Sequence, residues 1–308
     1  LDLGTSSVKV IVIDEDGMTV AQSSCSLSIS RPHPLWSEQN PDDWLRAAEE
    51  SILSIPKEIR QNIQGIGLSG QMHGAVLLDK KNRPLRPAIL WNDGRSFKEC
   101  REIELNNPQL HSITGNQVMP GFTAPKITWL EKHEPKIFSL IHKILLPKDY
   151  LRLIWSGEYA TDTSDASGTL WLDVEKRIWS EAAINISKLS IEQLPKVFEG
   201  HEITGSISQT TAQRLGIPQV PIVAGAGDQA AGAIGASVIK PNDASLVLGT
   251  SGVLFIVTEG FLPNTKEGVH AFCHALPNKW HQMAVILSAA SAIDWVANLT
   301  GFISPEEA

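Results

Sequence analysis

Apolar and polar positions alternate from the first residues onward. Val8-Lys9-Val10-Ile11-Val12-Ile13-Asp14 is β-branched and apolar, and Asp14-Glu15-Asp16-Gly17 after it has the chemistry of a tight turn. Met18 to Ser28 resumes as a strand, so the front of the chain reads as strand, Gly/Thr/Ser turn, strand, turn, strand, an antiparallel meander. Asn40-Pro41 has the form of a cap followed by proline in the first helical turn. Behind it Trp44, Leu45, Ala48, Ile52 and Leu53 recur at helical spacing, which predicts a helix over Pro41 to Leu53.

Ile63 to Gly70 reads as a short buried strand ending in a loop, Ala75 to Leu78 as another, and Asp79 to Pro84 as the polar turn that closes it. Pro221-Ile222-Val223-Ala224 is a strand running into Gly225-Ala226-Gly227-Asp228, and small residues through Gly235 predict a closely packed helix. This alternation favours an α/β class with a mixed sheet. After Lys240-Pro241-Asn242-Asp243 the pattern restarts with strand Ala244 to Leu248, a Gly-Thr-Ser-Gly turn and strand Val253 to Thr258. The repeat of the N-terminal design predicts two related domains, 1–243 and 244–308.

The composition narrows the function classes. At 308 residues, with 42% apolar and 19% charged positions, the chain holds one large or two ordinary domains with a sizeable core. A formal net charge of −8, without any basic run, argues against nucleic acid as a partner. Cys25, Cys100 and Cys273 lie far apart, which signals neither a disulfide framework nor a zinc site and fits a reducing cytoplasm. No stretch approaches the ~20 apolar residues of a membrane span. Leu1-Asp2-Leu3-Gly4 reads as the second half of a strand already under way, and the chain is expected to be a fragment.

Five segments carry candidate chemistry. In Asp2-Leu3-Gly4-Thr5-Ser6-Ser7, Gly4, Thr5 and Ser6 can offer N–H and O–H donors to phosphate oxygens, while Asp2 can hold Mg²⁺ through water; the alternative is a hairpin turn whose hydroxyls satisfy their own backbone. Leu248-Gly249-Thr250-Ser251-Gly252 repeats this chemistry, and two such turns facing one another across a cleft can hold a triphosphate. In Gly225-Ala226-Gly227-Asp228-Gln229, the Asp228 carboxylate stands at a strand-to-helix turn of small residues. The helix N-terminus favours its charge, so it is either a proton acceptor or simply a cap. In Ser69-Gly70-Gln71-Met72-His73-Gly74, His73 and Gln71 can bond sugar hydroxyls and Met72 can pack on carbon; the alternative is a histidine that is structural, as a lone His in such a loop more often is. Trp91-Asn92-Asp93-Gly94-Arg95 offers an aromatic face, a carboxylate and a guanidinium, suited to a polyol or equally to an exposed tryptophan beside a surface ion pair.

With those residues placed, the whole chain resembles the FGGY family of carbohydrate kinases. Asp2-Leu3-Gly4-Thr5-Ser6 is similar to its first phosphate loop, Leu248 to Gly252 to its second, and Gly227-Asp228-Gln229-Ala230-Ala231 to the segment bearing its catalytic aspartate. Ser69 to Gly74, Trp91 to Arg95, Leu146-Pro147-Lys148-Asp149-Tyr150-Leu151 and Phe272-Cys273-His274-Ala275-Leu276-Pro277 resemble the branch acting on D-xylulose. The resemblance implies an actin-like, ribonuclease-H-like fold of two domains around a cleft, the second incomplete. It also implies ATP and Mg²⁺ as cofactors, with Asp2 and Asp228 toward the metal. The sugar would bind against Met72, His73, Trp91, Asp93 and Gln229, Asp228 would take the proton from its O5 hydroxyl, and a homodimer is expected by analogy. Gln229 stands where that branch usually has Asn and glycerol kinases have Gln, so glycerol, gluconate and ribulose kinases are the alternatives within the family. A sugar-independent actin-like ATPase is the alternative outside it.

Overall fold

The computed structural model describes residues 1–248 and 251–301. Its front is the expected meander: β1 (Asp2–Leu3), β2 (Ser7–Ile13) and β3 (Thr19–Ser26) pair antiparallel. The β2–β3 turn closes on Asp14, whose Oδ1 accepts from the N–H groups of Asp16 and Met18, with Gly17 in the left-handed region at φ +78°. Two more strands, β4 (Ser69–Gly70) and β5 (Ala226–Gly227), add in parallel beyond β1, so the sheet order is β5-β4-β1-β2-β3 among the described residues. Of the strand expected over 63–70, only Ser69–Gly70 pairs continuously; Ile66 makes a single bridge to Ile222.

Helix α1 covers Pro41–Leu53, as the sequence predicts. The Asn40 side chain accepts from the N–H of Asp42, and Trp44, Ala47, Ala48, Ser51 and Ile52 form one buried stripe. Its apolar members pack with Leu3, Val8 and Val10 of the sheet, with Leu68 just ahead of β4, and with Leu151 and Trp155 of a later helix in one apolar core. A second core gathers Phe122, Ile127, Trp129, Leu130 and Trp171. The helices that matter for the site are α2 (Thr123–His133), α3 (Pro147–Ser156), α4 (Thr163–Ser167) and α5 (Asp228–Gly235).

A separate antiparallel sheet begins where the sequence pattern restarts. It consists of β6 (Ala244–Leu248), β7 (Gly252–Thr258), β8 (His270–Cys273) and β9 (Trp280–Ile286), in the order β6-β7-β9-β8. The packing is less divided than the strand pattern, because Val253, Phe272 and Met283 of this sheet join the second core. No helix among the described residues is long and apolar enough to cross a membrane.

Candidate active site

The register of the three parallel strands places the candidate residues side by side. Leu3, Gly70 and Gly227 form one row across β1, β4 and β5. Neighbouring strands lie about 5 Å apart, so the chains that leave them emerge together. Those chains are Gly4-Thr5-Ser6, Gln71-Met72-His73 and Asp228-Gln229. Ligands of α/β proteins bind beyond the carboxyl ends of such strands. Glycines make the row possible: a Cβ on Gly227 would lie 2.8 Å from the Met72 side chain, and one on Gly70 3.1 Å from the Leu3 carbonyl. At Gly225, φ is +78° and a Cβ would stand 1.8 Å from the Leu68 carbonyl oxygen.

Asp228 is the first residue of α5, with Gly227 at the cap position. Its Oδ1 accepts the N–H of Gln229 at 2.7 Å. Burial pushes its carboxyl up to about 6; the bonds from Gln229 pull the other way, and the nearby Asp2 charge adds to the rise. The helix N-terminus therefore does not set its protonation alone. A carboxylate still mostly ionised at pH 7, yet basic enough to accept a proton, is suited to general-base work. Asp2 is half-buried, and its Oδ1 accepts from the Ser69 hydroxyl at 3.0 Å.

The first Gly-Thr-Ser turn is wired to the neighbouring loops. Gly4 N–H donates to Ser7 O at 3.0 Å, closing the turn. Thr5 Oγ1 accepts from Trp91 Nε1 at 2.9 Å and donates to Gln71 Oε1 at 3.2 Å, while Gln39 Nε2 donates to the Thr5 carbonyl at 2.7 Å. Gln39 in turn accepts from Gln71 and from Trp44. Ser6 is exposed. In the second turn Leu248 pairs with Gly252, and Ser251 is half-buried; Gly249 and Thr250 lie outside the described residues.

Met72 is buried and His73 half-buried beside it. His73 takes a left-handed φ of +67°, and its Nδ1 is 2.7 Å from the Gly168 carbonyl. A carbonyl only accepts, so Nδ1 carries the proton and Nε2 is left as an acceptor. Burial lowers the His73 pKa to about 3, so the ring is neutral. Lys126 of α2, fully buried, donates to the carbonyls of His73 at 2.8 Å and Gly121 at 2.7 Å, and the Thr123 hydroxyl also reaches the His73 carbonyl. The left-handed turn is thereby held from behind.

Asp93 departs from the expectation of a sugar contact. Its side chain has no exposed surface, and both oxygens are engaged: Oδ2 by Ser37 N–H at 2.6 Å and Arg95 Nη2 at 2.7 Å, Oδ1 by Arg95 Nε at 2.9 Å. Arg95 also pairs with Glu38 at 2.6 Å and stacks on Trp36 at 3.6 Å. Asp93 thus fixes the loop that presents the half-buried Trp91 and offers no acceptor to a ligand. The pair is an ion pair, as the alternative reading had it, but a buried one.

A cleft of about 490 Å³ opens on the other flank of Asp2, lined among others by Ser69, Gly200, Gly225, Ala226 and Ala275. It does not include Asp228, Met72 or His73, and so adjoins the site. Sequence reasoning gave no role to Lys126, Lys148, Arg152 or Ser164, all fully buried near the strand ends. The available signal was charge inside an otherwise apolar helical stripe, as at Lys126 in Ile127-Trp129-Leu130 and at Lys148-Asp149 and Arg152 in Leu151-Leu153-Trp155.

The model of the FGGY family of carbohydrate kinases, N-terminal domain, matches residues 1–235. The chain is 54% identical over 302 residues to a xylulose kinase of Escherichia coli (strain K12), covering 98% of this chain and 62% of that relative. It is 50% identical over 305 residues to a xylulose kinase of Klebsiella pneumoniae, covering 99% and 63%. Among solved structures, a "xyloylose kinase" from Brucella ovis superposes with a TM-score of 0.96 at 48% identity, covering 99% of this chain and 64% of the other. The chain therefore spans a little under two thirds of the relatives it matches. Its fold is the actin-like ATPase fold that the resemblance implies. By the family model and these similarities together, the chain belongs to the FGGY family of carbohydrate kinases.

Proposed function

We propose that this chain supplies the sugar site and the catalytic base of a kinase that transfers the γ-phosphoryl group of ATP to O5 of D-xylulose. The observation that carries the reading is the convergence of Asp228, the Gly4-Thr5-Ser6 turn and Met72-His73 at three adjacent strand ends. The similarity to xylulose kinases supplies the substrate. Residues 1–243 form the sugar-binding domain in this reading, and 244–308 begin the nucleotide-binding one.

The sugar lies against Met72, the Trp91 ring and the Nε2 acceptor of His73, with Gln229 beside the reacting end. The Asp228 carboxylate accepts the proton of the O5 hydroxyl as that oxygen forms a bond to the γ-phosphorus and the bond to the ADP oxygen breaks in line. Asp228 then returns the proton to solvent. Backbone N–H groups of Thr5 and Ser6, with those that the second Gly-Thr-Ser sequence offers, stabilise negative charge on the phosphoryl oxygens. Among the described residues, no group of three or more His, Cys, Asp or Glu is placed to hold a metal. Asp2 and Asp228 are instead a pair of neighbouring carboxylates, and the second oxygen of Asp2 makes no bond among the described residues. That donor set fits Mg²⁺ held by one or two carboxylates together with water and phosphate. When bound, Mg²⁺ supplies positive charge against the transferring group.

Gln229 favours a second reading within the family, a glycerol or gluconate kinase. A panel of D-xylulose, D-ribulose, glycerol and gluconate, read by ADP release from the full-length protein, separates them. Preferred turnover of D-xylulose is expected, and better turnover of glycerol or gluconate would overturn the substrate assignment.

A further inference from the structure

Directly beneath the site, α3 and α4 bury a cluster of five charged side chains without exposed surface. Lys148 Nζ lies 2.8 Å from Asp149 Oδ1, 2.7 Å from Asp162 Oδ2 and 3.1 Å from Asp165 Oδ2. Arg152 Nη2 is 3.5 Å from Asp149. Burial works against the Lys148 charge, but the three carboxylates outweigh it and hold the proton on. Burial and the two other carboxylates push Asp165 well up, despite Lys148. Two cations, Lys148 and Arg152, thus face three carboxyl groups, Asp149, Asp162 and Asp165, all away from water. A buried charge cluster of this kind contributes little net stability, and what it does here follows from the groups it holds.

The cluster has two arms, and both end on the segment that delivers Asp228. Arg152 donates from Nη1 to the Val223 carbonyl at 2.7 Å and from Nη2 to the Ala224 carbonyl at 2.5 Å. It also donates to Thr204 Oγ1 at 2.7 Å, which itself donates to the Ile222 carbonyl at 3.0 Å. The other arm runs through Ser164, whose hydroxyl donates to Asp162 and accepts the Gly227 N–H at 3.1 Å. Between these grips lie only Gly225 and Ala226, where the left-handed turn at Gly225 leaves no room for a side chain.

We propose that this buried cluster positions Asp228, clamping residues 222–227 at both ends so that the carboxylate meets the substrate hydroxyl without reorganisation. The inference rests on reading Asp228 as the base. A base displaced by an ångström loses rate while ground-state sugar binding is kept.

Ser164→Ala removes one grip and Thr204→Val, close in shape, loosens the other. In the full-length protein, Ser164→Ala is expected to lower kcat about 10-fold with the sugar KM within about 2-fold, and Thr204→Val to lower kcat about 3-fold in the same manner. The acid limb of the kcat profile should also move to lower pH in Ser164→Ala, because a loosened turn admits water to Asp228, while Asp2 and Gln229, its other neighbours, are unchanged. The Gly227 amide should exchange with solvent at least 10-fold faster. Unaltered kcat and acid limb in both folded variants would overturn the proposal, as would losses explained wholly by a smaller folded fraction. Asp228→Asn, measured alongside, keeps the two readings apart: if it retains activity the base assignment fails, and if it is inactive while Ser164→Ala and Thr204→Val are normal, only the positioning role fails.

Discussion

Replacing Asp228 with Asn is expected to make the protein inactive and more stable at the same time. In the folded chain the carboxyl titrates near 6, against an ordinary value of 3.8. The rise of about 2 units corresponds to about 3 kcal/mol at 1.36 kcal/mol per unit, held as a penalty against folding whenever Asp228 is ionised. The residue is only half-buried, so about 1–2 kcal/mol is the working figure. Asn carries no charge and retains the Oδ1 acceptor for the Gln229 N–H. The sign follows from the raised folded value. Above pH 6 both states are ionised and the wild type bears the whole penalty; as pH falls from 6 to below 4 the folded state and then the unfolded state take up the proton, and the penalty disappears. Urea denaturation of wild type and Asp228→Asn should therefore give a more stable variant at pH 7 and equal stabilities near pH 3.5. Activity should fall by about 10²–10⁴, the usual contribution of a general base. A variant no more stable than wild type at pH 7 would refute the claim that burial strains this carboxylate.

Three further outcomes are expected. Log kcat/KM should fall with unit slope below about pH 6, because the base must be deprotonated and burial sets its titration there; a flat profile down to pH 5 would contradict this. Arg95→Ala should cost about 3 kcal/mol by leaving Asp93 buried without a counter-ion, while Glu38 keeps its pair with Arg86; Arg46→Ala, at an exposed pair, should change stability by less than about 1 kcal/mol, and denaturant titration compares the two. Gly225→Ala combines a left-handed φ with a backbone clash at Leu68 and should destabilise by about 4 kcal/mol or more, visible as loss of soluble folded protein by circular dichroism.

Local chemistry made much of this legible in the sequence. The Asn40-Pro41 start and helical apolar spacing located α1, and the Asp14 to Gly17 turn located the β2–β3 hairpin, because each is decided by residues within one or two turns. Strand 63–70 was overestimated because Gly65 and Gly67 interrupt a run whose neighbours pair at only one point before Ser69. The site was legible where a motif leaves a strand end, as at Asp228 and Gly4. It was illegible where the partner is distant: Asp93 is taken by Ser37 and Arg95, and Lys148 meets Asp162 and Asp165 only once α3 and α4 pack. Periodicity shows that such charges occupy inward positions and cannot say which partner meets them.

The most direct test of the central claim is ³¹P and ¹³C NMR of the products formed from ATP and D-xylulose by the full-length protein and its Asp228→Asn variant. D-Xylulose phosphorylated at O5, with one ADP per sugar phosphate and no product from the variant, is the predicted result. ADP and free phosphate formed without sugar phosphate, or sugar phosphate made equally well by the variant, would contradict the account.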